Sequence, residues 1–275
     1  MTLSIAAIVL FAALLHASWN ALLKSGGDGF WSMTVMGIAT ALACAVAAFF
    51  LPLPLGPSWP FIAASALLHV GYNAFLIRAY RSGDFGSAYP IARGSSPMLV
   101  TLGAGLTAGE YPGLHGIIGI LLVSTGIISL AFRGKRPPEA GIFYALGTGV
   151  FIAAYSVTDG IGARLSGNAS AYTVWMCLLW GAAALPTYLF MRRETRLWRG
   201  TRATGLAALG GIISVVAYGI VIFAMAHAPM GSVSALRETS VLFAVLLGRI
   251  VFGEKLTARR IGSALVIVAG VLCLE

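Results

Sequence analysis

The chain is a succession of long apolar stretches separated by short polar or proline-rich breaks. Residues 1–23 contain no Lys, Arg, Asp or Glu and predict a first helix. Residues 30–77 are also free of those four types, which is too long for one span. The run Pro52, Pro54, Pro57, Pro60 divides them, because proline inside a helix loses a hydrogen bond and clashes with the preceding turn. This predicts a second helix near 30–51 and a third near 61–80. The same reading places helices near 86–108, 113–132, 140–162, 170–191, 204–227, 231–252 and 257–274. A span needs about 20 apolar residues. The pattern therefore predicts an all-α integral membrane protein of ten transmembrane helices.

Composition agrees with the pattern. Hydrophobic residues make up 59% of the chain and charged residues 10%, and mean hydropathy is +0.90. Soluble domains carry roughly 25% charge, and a water-facing surface cannot be built from so few charges. The 34 glycines fit helices that approach closely in lipid. Cys44, Cys177 and Cys273 all lie in apolar stretches and read as packing residues, with neither a disulfide frame nor a metal site. The first stretch has no basic start and no cleavage site, and reads as a retained helix. The net charge of +9 sits in short loops, where it orients a membrane protein and does not point to nucleic acid.

The two halves resemble each other at their ends. Arg93 stands 17 residues before Glu110 and 33 before Gly126, and Arg237 stands 17 before Glu254 and 33 before Gly270. The Gly-Ser pairs at Gly86 and Gly231 match with a one-residue gap. This predicts two five-helix repeats, 1–137 and 138–275, joined in the segment Arg133 to Pro138. Five is odd, so the repeats must insert with opposite orientation. Three of the four loop pairs invert their charge accordingly: the loop after the second helix is uncharged, while its mate carries Arg192, Arg193, Arg196, Arg199 and Arg202. Inverted repeats of this kind are common in secondary transporters. One face holds 14 basic residues and the other holds Arg164 alone. The positive-inside rule makes the basic face cytoplasmic and places both termini outside.

With these features the chain resembles the EamA branch of the drug/metabolite transporter superfamily. The resemblance rests on Gly109-Glu110 and Gly253-Glu254 after the fourth and ninth helices, on Gly126 and Gly270 in the helices that follow, and on Pro97. The place equivalent to Pro97 in the second half is Val241, a departure. The resemblance implies transport of small metabolites without ATP, often export, across the inner membrane. It implies no particular substrate. Members are often drawn with cytoplasmic termini, whereas the charge count places them outside.

Ionisable groups at bilayer depth are costly and need a reason. Arg93 and Arg237 occupy matching places in the repeats, and guanidinium forks suit carboxylate, phosphate or phosphonate. Each arginine has two readings: facing an anionic substrate in a central cavity, or satisfied by helix ends, by snorkelling, or by a structural carboxylate such as Glu238. Glu238 is a candidate coupling group that takes up a proton as substrate leaves, or else one half of a fixed ion pair. Neighbours on a helix do not face each other, so Arg237 is not expected to be its main partner. Helix one places His16, Trp19 and Asn20 on one face, and helix three places His69, Tyr72 and Asn73 at the same spacing. Tyr155 and Asp159 on helix six and Tyr218 on helix eight complete a candidate cavity wall. Asp159 is a second coupling candidate, or is solvated near its helix end. The competing reading of the aromatics and amides is interhelical packing and hydrogen bonding. Glu110 and Glu254 read as caps of the next helix, the Arg192–Arg202 run as a solvated face, and Gly105-x3-Gly109 as close packing.

The leading expectation is a secondary transporter of a small polar, zwitterionic or anionic metabolite such as an amino acid, driven by a proton or counter-substrate. Its partners are that solute and the bilayer, with no cofactor, metal or nucleic acid. The alternatives are a proton-coupled exporter of organic cations, a non-transporting membrane scaffold, and an integral-membrane enzyme using His16 or His69 as base. No HExxH, Gly-x-Ser-x-Gly or Walker sequence supports an enzyme or a pump.

Overall fold

The computed structural model describes residues 1–25, 28–82, 85–131, 139–192, 197–253 and 257–274. The expected linker at 133–138, Arg193, Arg196, Glu254 and Lys255 lie outside the described residues. Among the described residues the first half forms α1 (Leu3–Ser25), α2 (Gly29–Ala48), a 3-10 turn at Gly56–Ser58, α3 (Trp59–Ser82), α4 (Phe85–Ala108) and α5 (Leu114–Ser129). The second half forms α6 (Glu139–Leu165), α7 (Ala169–Ala182), α8 (Ala184–Arg192), α9 (Thr201–His227), α10 (Met230–Arg237), α11 (Ser240–Phe252) and α12 (Ala258–Leu272). Side-chain caps fix several starts. Asp28 accepts from the Trp31 amide at 3.2 Å, and Asn168 accepts from the Ala171 amide at 2.9 Å.

Two stretches expected as single helices are broken. Between α7 and α8 the cause is Pro186, which has no N–H for the Ala182 carbonyl and whose ring crowds it. Between α10 and α11 no proline or glycine intervenes. There the backbone tightens to i→i+3 bonds, Thr239 N to Leu236 O and Val241 N to Glu238 O, both at 3.1 Å. The Thr239 hydroxyl also donates to the Leu236 carbonyl at 2.7 Å. By contrast α4 runs through Pro90 and Pro97. The carbonyl that Pro97 leaves free belongs to Arg93, and the Ser96 hydroxyl donates to it at 3.1 Å.

Six of the described stretches are long and apolar enough to cross a bilayer, among them Leu3–Leu22, Glu139–Leu165 and Thr201–His227. The outer surface is apolar: Phe49, Phe190, Leu3 and Leu106 are each more than three-quarters exposed. Such a surface would associate in water and suits a hydrocarbon solvent, where helices satisfy their own backbone. The chain is an all-helical multi-pass membrane protein.

The halves interleave. α1 packs along α9, and α3 packs along α6. α2 crosses α7, α4 meets α10, and α5 crosses α12. A Cβ on Gly119 would lie 2.7 Å from the Gly270 carbonyl, and one on Gly270 would lie 2.8 Å from the Gly119 carbonyl. Only glycine admits that approach of α5 and α12. Gly109 and Gly253 end α4 and α11 with the same φ of +66°, a left-handed geometry that glycine adopts without strain. Gly109 has open space around its Cβ position, so Gly105-x3-Gly109 marks a turn and not the expected close packing of helices.

Two ionic ties connect the halves at opposite ends of the bundle. On the basic face Asp28 pairs with Arg192 and Arg199, each at 3.1 Å, so part of the arginine run is engaged. On the terminus-bearing face Arg164 pairs with Glu110 at 2.5 Å. Glu110 also accepts from the Met230 amide at 2.8 Å. It caps α10, and not α5 as its position in the sequence predicts; Gly113 caps α5 without a side chain.

Candidate functional site

The break between α10 and α11 puts Arg237 at a helix end and Glu238 on the capping residue. α4 delivers Arg93 to the same point. The Arg93 Nε lies 2.7 Å from Glu238 Oε2, and Arg237 Nη2 donates to Glu238 Oε1 at 3.2 Å. Arg93 is thus the closer partner, as the geometry of adjacent helical residues predicts. The helix end lets Arg237 share the carboxylate. All three side chains are buried, at 5%, 3% and 0% exposure, so neither arginine snorkels to a loop. Arg93 Nη2 donates to Ser240 Oγ at 3.3 Å, and Ser96 Oγ donates to Glu238 Oε1 at 3.5 Å. The Arg93 guanidinium stands 5.9 Å from the Tyr89 ring centroid. The centre holds two positive charges and one negative. Among the described residues, Arg237 Nε has no hydrogen-bond acceptor.

A second centre lies between α3, α6, α7 and α9. Asp159 is fully buried, not solvated. It accepts hydrogen bonds from Tyr172 OH at 2.9 Å and from Tyr218 OH, with Ser65 and His69 beside it. His69 stacks on Tyr155 at 4.1 Å between centroids, and Trp180 and Tyr218 each stand 5.8 Å from the His69 ring. The His69 Nδ1 lies 2.8 Å from the Ser65 carbonyl, which makes that nitrogen the donor. Tyr72 meets Tyr155 edge-on at 5.8 Å. Tyr155 neighbours both Arg93 and Asp159 and joins the two centres.

The remaining predicted residues are His16, Trp19, Asn20 and Asn73. His16 lies within electrostatic range of the two arginines and packs edge-on with Trp19 at 5.0 Å. The Asn20 amide donates back to the His16 carbonyl at 2.8 Å. Trp19 Nε1 and Asn73 Oδ1 are buried without partners among the described residues. Tyr89, Ser96, Ser240, Tyr172 and Trp180 belong to the centres and were not anticipated. Ser96 and Ser240 had a signal, since each follows its arginine by three residues. Among the described residues no group of three His, Cys, Asp or Glu side chains is placed to hold a metal.

Residues 139–274 match the model of the EamA-like transporter family. No curated protein matches the chain. One solved structure, described as "Crystal structure of protein", is similar at a TM-score of 0.79 and 20% identity, over 99% of this chain and 96% of that one. At that identity the likeness shows a shared fold along the whole chain and nothing of the solute.

Proposed function

We propose that this chain, which belongs through residues 139–274 to the EamA-like transporter family, is a secondary active transporter for a small metabolite carrying a carboxylate or similar anionic group, alone or in a zwitterion. The observation that carries this reading is the arginine centre. A single carboxylate serves two buried guanidinium groups, and Arg237 Nε has no acceptor among the described residues. An incoming anion completes the charge and supplies the missing acceptor, which is the chemistry guanidinium forks favour.

The transport cycle in this reading is alternating access of two inverted five-helix repeats joined near residue 137, with α7–α8 and α10–α11 each a single broken span. Support comes from pairs 144 residues apart: Arg93 with Arg237, Ser96 with Ser240, Gly109 with Gly253, and Gly126 with Gly270. The packing of α1 on α9 mirrors that of α3 on α6. The substrate site falls where a broken helix ends, as in transporters built on discontinuous helices. The basic face is cytoplasmic in this reading, and export across the inner membrane is carried over from the resemblance. Glu238, which bridges the two arginines, is the coupling candidate in this reading, taking up a proton as substrate leaves.

The test is thermal unfolding of purified protein with amino acids, organic acids, phosphonates and amines, beside Arg237→Ala. Stabilisation by an acid or zwitterion that disappears in R237A is the expected result. A native chain indifferent to every anion overturns the reading. The Asp159 carboxylate within Tyr155, Tyr218, His69 and Trp180 favours a second reading, an organic cation held by charge and aromatic faces. Stabilisation by amines, kept in R237A and lost in Asp159→Asn, selects that reading.

A further inference from the structure

On the terminus-bearing face a cleft of about 530 Å³ opens between the end of α4, the turn after it, the ends of α6 and α9, and the start of α10. Its lining includes Thr101, Glu110, Arg164, Gly231 and Ser232. Gly231 lies directly against Thr101 and closes the floor. Arg237 is six residues further along α10, about 9 Å at the helical rise, and Arg93 is two turns from Thr101 along α4. Between floor and arginines stands Ser234, fully buried, its hydroxyl without a partner among the described residues. The cleft therefore points down the α4–α10 seam at the arginine centre.

The mouth of the cleft is tied by one ion pair with an asymmetric anchorage. Arg164 donates to the carbonyls of Met225 and Ala228 at 2.8 and 3.1 Å, so it is fixed to the end of α9 within its own half. Glu110 comes from the other half. It reaches across to Arg164 and to the Met230 amide. Release of these two contacts frees the α4–α5 turn from α9 and α10, the elements that wall the cleft. The pair is partly exposed, 31% for Arg164 and 18% for Glu110, and ion pairs at such exposure are weak enough to open reversibly. The residue 144 places before Arg164 is Asn20, which bonds within its own helix, so this arginine latch is not repeated at that place.

We infer that the cleft is the mouth of the substrate route on the terminus-bearing face and that the Glu110–Arg164 pair is the latch that holds the route closed beneath it. The inference rests on the arginine centre as the substrate site. Its test needs no substrate. In a chain whose three native cysteines are replaced by alanine, Ser234→Cys is a reporter buried below the floor. A membrane-impermeant thiol reagent is applied to reconstituted protein from either face. Glu110→Gln and Arg164→Gln are expected to raise labelling from the terminus-bearing face about three- to tenfold, the range a weak ion pair with its ancillary hydrogen bonds supports. High salt is expected to raise it in the chain with the latch intact, since screening weakens partly exposed pairs. That salt series decides the matter if the two variants do not fold. Labelling unchanged by charge removal or salt, or enhanced from the opposite face, overturns the latch. Anion binding lost in R237A with unchanged labelling fails the latch alone, whereas faster labelling with no anion bound fails the arginine reading and retains the latch.

Discussion

Arg93 and Arg237 stand 144 residues apart in the chain and meet on one carboxylate, that of Glu238. Removing that carboxylate leaves two buried guanidinium groups facing each other without compensation. Glu238→Gln is expected to cost about 3–5 kcal/mol, the loss seen when one partner of a buried ionic group is removed. Replacing the set together, Arg93→Met with Arg237→Met and Glu238→Leu, is expected to cost less than Glu238→Gln alone, because no buried charge remains. Thermal unfolding of the two proteins in the same detergent compares them. A Glu238→Gln protein as stable as the native chain would mean that the three groups do not share a dry site.

The crossing of α5 and α12 predicts a second stability effect. A Cβ at Gly270 would meet the Gly119 carbonyl and the Val123 amide nitrogen, each at 2.8 Å. Both are backbone atoms and can yield only if the helices separate. Gly270→Ala is expected to cost about 1–3 kcal/mol, as overpacking typically does. Gly262→Ala lies on the same helix with nothing within 4 Å and is expected to be close to neutral. Equal unfolding temperatures for the two variants would contradict the crossing.

Helix positions were legible because lipid leaves the chain little choice: long charge-free runs such as 1–23 have no other stable form at bilayer depth. The arginines were legible for the same reason, since charges stand out in apolar runs and repeat in register. The break at Glu238 was not legible. It comes from i→i+3 backbone bonds and a threonine hydroxyl, without a proline or glycine to mark it. Pro186 did offer a signal for the break after α7. The partner of Glu110 was hidden by distance: it caps a helix starting 120 residues later, where sequence favours the helix next in line. One of the two readings of Asp159 put it near water because its helix was placed to end at 162. The helix runs to Leu165, and Tyr172 and Tyr218 arrive from other helices to cover it.

The basic face carries a pH-dependent tie. Burial alone raises the Asp28 carboxyl, but the Trp31 amide and the charges of Arg199 and Arg192 outweigh it and hold the group below its ordinary value. A carboxyl depressed in the folded state adds stability above its unfolded value, about 4, and loses it as pH falls through the folded value. The native chain is therefore expected to lose stability on acidification below about pH 4, by an increment absent from Asp28→Asn. High salt is expected to shrink the increment, because Arg192 is 44% exposed and screening acts on such pairs. Parallel stability-against-pH curves for the native chain and Asp28→Asn would rule out the tie.

The Asp159 centre separates a structural hub from a solute site by the size and kind of effect. Tyr218 and Tyr172 both donate to the buried carboxylate, so α7 and α9 are held to α6 through one side chain. Hydrogen bonds to a charged group contribute about 1.5–3 kcal/mol, and Tyr218→Phe is expected to lose that much. Asp159→Asn keeps an acceptor oxygen for one phenol but turns a donor toward the other, so its cost is expected to be of similar size. Structure alone would make the two variants equivalent in every assay. A cation site would not: Tyr218→Phe keeps the carboxylate and an aromatic face and is expected to retain stabilisation by amines, whereas Asp159→Asn removes the charge that would attract them. Thermal unfolding of both variants across an amine series reads the difference. An amine response kept equally in both variants would make Asp159 a hub alone.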